Sequence, residues 1–152
     1  MTFITHSAAE TKKLGKVLAG ILEPGDVVAL QGELGAGKTT LVQGIAQGLG
    51  VRSENPAASP TFVLIHEYRG RFKIYHLDWY RLKKVGGTDA QMAEECFRGD
   101  AVTLVEWPER GEALLPPEAL KVRISYEGAD KRSFRFSLSP AKKKQWQKAM
   151  KG

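Results

Sequence analysis

Apolar positions in this chain fall into two rhythms, a helical spacing of three and four and short unbroken runs, and the two alternate from one end to the other. Leu14, Val17, Leu18 and Ile21 mark one helical face, opened by the capping-box form Ser7-Ala8-Ala9-Glu10 and followed by Pro24-Gly25. Val27-Val28-Ala29-Leu30 is a continuous apolar run, the signature of a strand buried on both faces of a parallel sheet. Glycines come next. Leu41, Val42, Ile45 and Leu49 then mark a second helix, with Gly50 as its left-handed stop.

The rest of the chain continues the alternation. Residues 51–60 are polar, carry two prolines and read as a surface loop. Thr61 to Tyr68 and Phe72 to Asp78 are strand-like runs around Arg69-Gly70-Arg71, which predicts a hairpin. Thr88-Asp89-Ala90-Gln91 has a second capping-box form ahead of Met92, Ala93, Cys96 and Phe97, stopped by Gly99. Ala101 to Val105 is another buried strand. Leu120 to Tyr126 and Ser133 to Leu138 form a second hairpin around Gly128, and a lysine-rich helix closes the chain. Strands alternating with helices predict a three-layer α/β/α domain with a mixed, largely parallel central sheet.

Composition narrows the class. The chain has 152 residues, 42% hydrophobic and 26% charged, as expected for one globular domain spanning 1–152. No apolar run approaches the roughly 20 residues needed to cross a bilayer, and the first 20 residues lack the order of a secretory signal, which predicts a cytoplasmic protein. The single cysteine, Cys96, reads as a small core residue, and three scattered histidines show no metal-ligand spacing. Of the net charge of +6, Lys142, Lys143, Lys144, Lys148 and Lys151 contribute five, with no acid from Pro140 onward. The basic character therefore belongs to a tail at about 140–152. That tail reads either as a solvated, partly frayed helix or as an attraction for tRNA or an acidic partner.

Gly32-Glu33-Leu34-Gly35-Ala36-Gly37-Lys38-Thr39 fits the spacing G-x-x-x-x-G-K-[ST]. Gly32, Gly35 and Gly37 let backbone amides converge on an anion with no side chain in the way, and Ala36 keeps the loop small. The positive end of the following helix adds to that field. Lys38 brings an ammonium to the terminal phosphates, the Thr39 hydroxyl offers a hard oxygen to magnesium, and Thr40 is a further phosphate contact. The alternative is a glycine-rich turn, but the segment sits between a buried strand and an apolar-faced helix, as the mechanism demands. With no Asn-Lys-x-Asp string for guanine, the expected ligand is ATP with Mg2+.

Two acids close strands at the carboxyl end of the sheet, where ligands sit in open α/β folds: Asp78 and Glu106. Either they complete a magnesium triphosphate site, or Asp78 caps the next segment and Glu106 is a surface acid paired with Arg110.

Beside the loop, Ser59-Pro60-Thr61-Phe62, the segment from Ile74 through His76, Asp78 and Tyr80 to Leu82, and Val105-Glu106-Trp107-Pro108-Glu109 stand in order, and the set resembles the bacterial TsaE (YjeE) family. The resemblance implies a weak ATPase required for N6-threonylcarbamoyladenosine in tRNA, acting on a complex of TsaD and TsaB. It further implies Thr39 and Glu106 as magnesium ligands and Asp78 as the Walker B-like acid, so that Lys38, Asp78 and Glu106 carry the chemistry. By the same resemblance Trp107 organises the site, against simple core packing. Thr61 senses the terminal phosphate, against a strand-opening threonine. Arg132 approaches the nucleotide, against an exposed hairpin arginine. His66 and His76 lie in strand patterns and read as structural. Lys83 to Phe97 departs from the more acidic, leucine-rich stretch of the family, which bears on partner contacts there. The rival functions are a small-molecule kinase, for which no arginine-rich lid is evident, and a nucleotide-gated binding module without turnover.

Overall fold

The computed structural model describes residues 1–33, 35–52 and 65–151. In chain order the elements are β1 Thr2–Thr5, α1 Ala8–Ala19, β2 Val27–Gln31, α2 Lys38–Gly48, β3 Ile65–Arg69, β4 Lys73–Asp78, α3 Gly87–Arg98, β5 Val102–Glu106, a 3₁₀ segment Pro108–Leu114, β6 Leu120–Gly128, β7 Lys131–Ser137 and α4 Pro140–Lys151. The strands form one seven-stranded sheet in the order β1-β7-β6-β2-β5-β4-β3. Its centre is parallel, β6, β2, β5 and β4 running side by side, while β3, β7 and β1 join by antiparallel pairing. The mixed α/β architecture expected from the sequence is the one found.

Period-2 alternation sends each central strand's side chains to opposite faces. Val28, Leu30, Ile74, Leu104, Val122 and Phe134 meet α1, α2 and α4 on one face, whereas Val27, Leu77 and Val105 meet Ala93 and Cys96 of α3 on the other. Cys96 is the buried core residue its surroundings predicted. α1 and α2 seat backbone on backbone. A β-carbon on Gly15 would stand 2.7 Å from the Leu41 carbonyl oxygen, and one on Gly44 would stand 2.8 Å from Lys12 Cα.

Local chemistry explains most boundaries. Ser7 Oγ accepts the Glu10 amide, while the Glu10 carboxylate accepts the His6 amide. α1 ends at Ala19, so Ile21 packs into the core from beyond the helix. The capping box at Thr88 does not form. Gly87, at φ +57°, lets the chain turn early, so the N-cap is Gly86 and Thr88 lies within the first turn.

Two further expectations change. β1 was not legible in the pattern and pairs antiparallel with β7. The C-terminal helix is docked rather than frayed. Trp146, 2% exposed, packs 5.2 Å from Phe3 and 5.1 Å from Phe136, and Lys142 Nζ reaches Asp26 Oδ2 and the Ile21 carbonyl at 2.6 Å each. The other four tail lysines stay exposed. Among the described residues no helix is long and apolar enough to cross a membrane.

Candidate functional site

The chain leaves buried β2 at Gln31, turns through the glycine loop and enters α2 at Lys38. Gly35 and Gly37 take left-handed φ values of +78° and +112°, which side-chain-bearing residues rarely adopt. Gly32 answers to space instead: a β-carbon there would stand 2.8 Å from the Ile124 carbonyl oxygen. Ala36 is buried, its amide held by the Glu33 carbonyl at 3.1 Å. Gly37 caps α2 without a side-chain cap of its own, so the helix start offers backbone donors and the positive end of its dipole. Thr39 is exposed and Thr40 half-buried in that turn; Leu34 and Thr61 lie outside the described residues.

The sheet register assembles the charged groups. Leu30 is the Cα partner of Glu106, and Glu106 is the Cα partner of Asp78, so the two carboxylates stand on adjacent parallel strands beside the root of the loop. Lys38 is 5% exposed; its Nζ donates to the Gly32 carbonyl at 2.5 Å and lies 4.0 Å from the centre of the Trp107 ring. Burial lowers its pKa, and Glu106, Asp78 and Glu109 work against that shift by stabilising the ammonium. Asp78 is raised above its ordinary 3.8, chiefly by burial, although the Tyr80 amide donates to its Oδ1 at 3.0 Å. It caps the following turn and faces the cluster at once.

Glu106 departs from the surface reading. It is 3% exposed, and Arg110 donates to the Leu82 carbonyl instead. Its partner is His76, whose Nε2 lies 2.6 Å from Glu106 Oε2 with both side chains buried. His76 is thus structural, as its strand position suggested, but it holds an acid of the site. Its Nδ1 has no partner among the described residues. The available signal was spacing: His76 and Asp78 are two apart on one strand and share a face.

Trp107 packs beside the Lys38 ammonium. It sits at φ 59°, ψ 49°, an uncommon conformation for a bulky residue, and this turns the chain from β5 into the 3₁₀ segment. Its ring borders the second core and stands 5.1 Å from Tyr80, which the sequence reading had not singled out as a site residue. Arg132 is half-buried on the β6–β7 hairpin, with its guanidinium 4.3 Å from the Tyr126 ring. It lies against the loop, since a β-carbon on Gly37 would be 3.7 Å from Arg132 Nε. Gly32, Gly35, Ala36, Trp107, Tyr126 and Arg132 line a cleft of about 820 Å³.

Among the described residues no three of His, Cys, Asp and Glu gather as a metal cage. Two adjacent carboxylates beside a phosphate-type loop nevertheless suit Mg2+, which takes one or two carboxylates and completes its shell from phosphate oxygens and water.

A glycine loop between a buried parallel strand and a helix, with acids on the neighbouring strand ends, defines an α/β protein of the phosphate-loop class. Residues 5–134 match the family model described as Threonylcarbamoyl adenosine biosynthesis protein TsaE. The chain belongs to the TsaE family. It is 41% identical over 124 residues to the tRNA threonylcarbamoyladenosine biosynthesis protein TsaE of Treponema pallidum, covering 82% of this chain and 90% of that one. Against the Bacillus subtilis protein of the same name, identity is 42% over 135 residues, covering 88% and 82%. The crystal structure of Bacillus subtilis YdiB superposes with a TM-score of 0.79 at 35% identity, covering 99% of this chain and 94% of that one.

Proposed function

We propose that this protein binds ATP with Mg2+ in the loop cleft and hydrolyses it slowly, in the service of tRNA N6-threonylcarbamoyladenosine formation. The observation that carries the reading is the in-register pair Asp78 and Glu106 beside the glycine loop, with the Lys38 ammonium held between loop and acids. The loop amides and the start of α2 bind the phosphates, and Lys38 exchanges the Gly32 carbonyl for phosphate oxygen. Thr39 and Glu106 would hold magnesium, with Asp78 beside them; bound there, the ion would neutralise charge across the terminal phosphates. His76 fixes the Glu106 carboxylate, and Asp78 orients the attacking water. Trp107 walls the cleft on one side, and Arg132 approaches the phosphates on the other. In this reading Thr61 senses the terminal phosphate.

The protein works in the cytoplasm on the TsaD–TsaB complex, which uses its ATP cycle to reset between turnovers. The exposed lysines of α4 bring tRNA near. Lys38→Ala is expected to abolish nucleotide binding in calorimetry, and Glu106→Ala to weaken magnesium dependence and turnover; unchanged affinity and hydrolysis in both would rule out these roles. Hydrolysis measured with and without TsaD–TsaB separates an ATPase from a gate without turnover. Deleting the gene should deplete the modified adenosine in bulk tRNA, read by mass spectrometry. Undiminished modification in a strain with no redundant route would defeat the pathway assignment.

A further inference from the structure

The sheet face opposite α1 and α2 is covered by α3 and the 3₁₀ segment over its central strands; at β6 the 3₁₀ segment reaches Lys121 through Glu112, and beyond that the face carries exposed residues of β6, β7 and β1. Its exposed side chains include Lys121, Arg123, Arg135 and Ser137, flanked on β1 by Thr2 and by Ile4, which is 45% exposed. The register there is unusual. Arg123 of β6 and Arg135 of β7 are direct antiparallel partners, two guanidiniums on one face with no carboxylate bonded to either among the described residues. Like charges placed opposite one another on a sheet repel, so this arrangement costs stability in the isolated chain. Lys121, by contrast, already has Glu112 at 3.6 Å.

We infer that this face docks a segment of a protein partner that carries a single carboxylate, seated between Arg123 and Arg135. Both arginines open onto a hollow of about 270 Å³, whose lining also includes Gln31, Glu109, Glu112 and Leu115. A planar guanidinium pair offers forked donors matched to a carboxylate. A continuous phosphate backbone fits less well, because Glu109 and Glu112 also line the hollow and oppose a run of anions, while one carboxylate can sit between the arginines. Gln31, Glu109 and Arg123 also line the loop cleft, so the docked segment adjoins the nucleotide. The inference rests on the proposed function only in its choice of TsaD–TsaB as partner.

The test uses Arg135→Glu, which lies outside the lining of the loop cleft and places a carboxylate opposite Arg123. The variant is expected to raise the melting temperature, keep ATP affinity unchanged and weaken binding to purified TsaD–TsaB at least tenfold. A variant that binds TsaD–TsaB like the wild type overturns the inference. A short peptide with one glutamate flanked by neutral residues reads the surface independently of any pathway. Its titration should shift the side-chain NMR signals of Arg123 and Arg135 in the wild type and leave Arg123 unmoved in the variant. Silence at both arginines overturns the docking face. Wild-type protein that responds to the peptide but ignores TsaD–TsaB upholds the face and removes the proposed partner. Bulk tRNA binding that the variant abolishes while the peptide stays silent overturns the inference in favour of RNA.

Discussion

At Asp78 the site keeps a carboxylate in a half-buried position, next to a second carboxylate. Burial raises its pKa above the ordinary 3.8, with Glu106 adding to the shift, so the charged form is disfavoured in the fold. The stability consequence has a definite sign. Below about pH 4 the group is protonated in folded and unfolded chains alike, and no penalty exists. As pH rises through the raised folded value the penalty grows, and above it stays constant. Asp78→Asn keeps an oxygen for the Tyr80 amide and removes the charge. Its melting temperature in the absence of nucleotide should match the wild type near pH 3.5 and exceed it at pH 7, while hydrolysis falls. A lower melting temperature than wild type at pH 7 would contradict this account.

Among the elements, α1 and α2 show a close approach that only glycine permits. Alanine at Gly44 favours a helix by about 1 kcal/mol. Here its β-carbon would press on Lys12 Cα at 2.8 Å, backbone that cannot rotate away. Overpacking of this kind costs about 1–3 kcal/mol, so the crowding should win and Gly44→Ala should lower the urea midpoint. How far the elements could be read from sequence followed the range of the forces that make them. The loop from Gly32 to Thr39 and the burial of β2 were legible because glycine geometry and an apolar run are local signals. β1 was not, since Thr2 to Thr5 becomes a strand only by pairing with residues 132–135. The Glu106–His76 contact was hidden for the same reason: thirty residues separate two side chains that only the sheet register brings together.

For the whole molecule, the basic tail illustrates how composition misleads about placement. Five lysines suggested a solvated helix, yet one aromatic residue decides the outcome. Trp146 is sunk against Phe3 and Phe136, and Lys142 closes the contact on Asp26. Truncating a buried tryptophan costs about 3–5 kcal/mol, a large part of the stability of a small domain. Trp146→Ala should therefore shift the cooperative unfolding transition of the entire protein. Loss of helical signal from α4 alone, with the main transition unmoved, would show that the helix is an appendage.

The seating of α2 on α1 also constrains how the molecule would respond to the proposed nucleotide. Gly15 and Gly44 leave no layer of side chains between the two backbones to act as a bearing, so a slide of either helix would drive carbonyl into main chain. The start of α2 is thereby an anvil. Recoil from an arriving anion goes to groups without such a footing: the Lys38 ammonium, the left-handed turn at Trp107 and the arginine-bearing hairpin across the cleft.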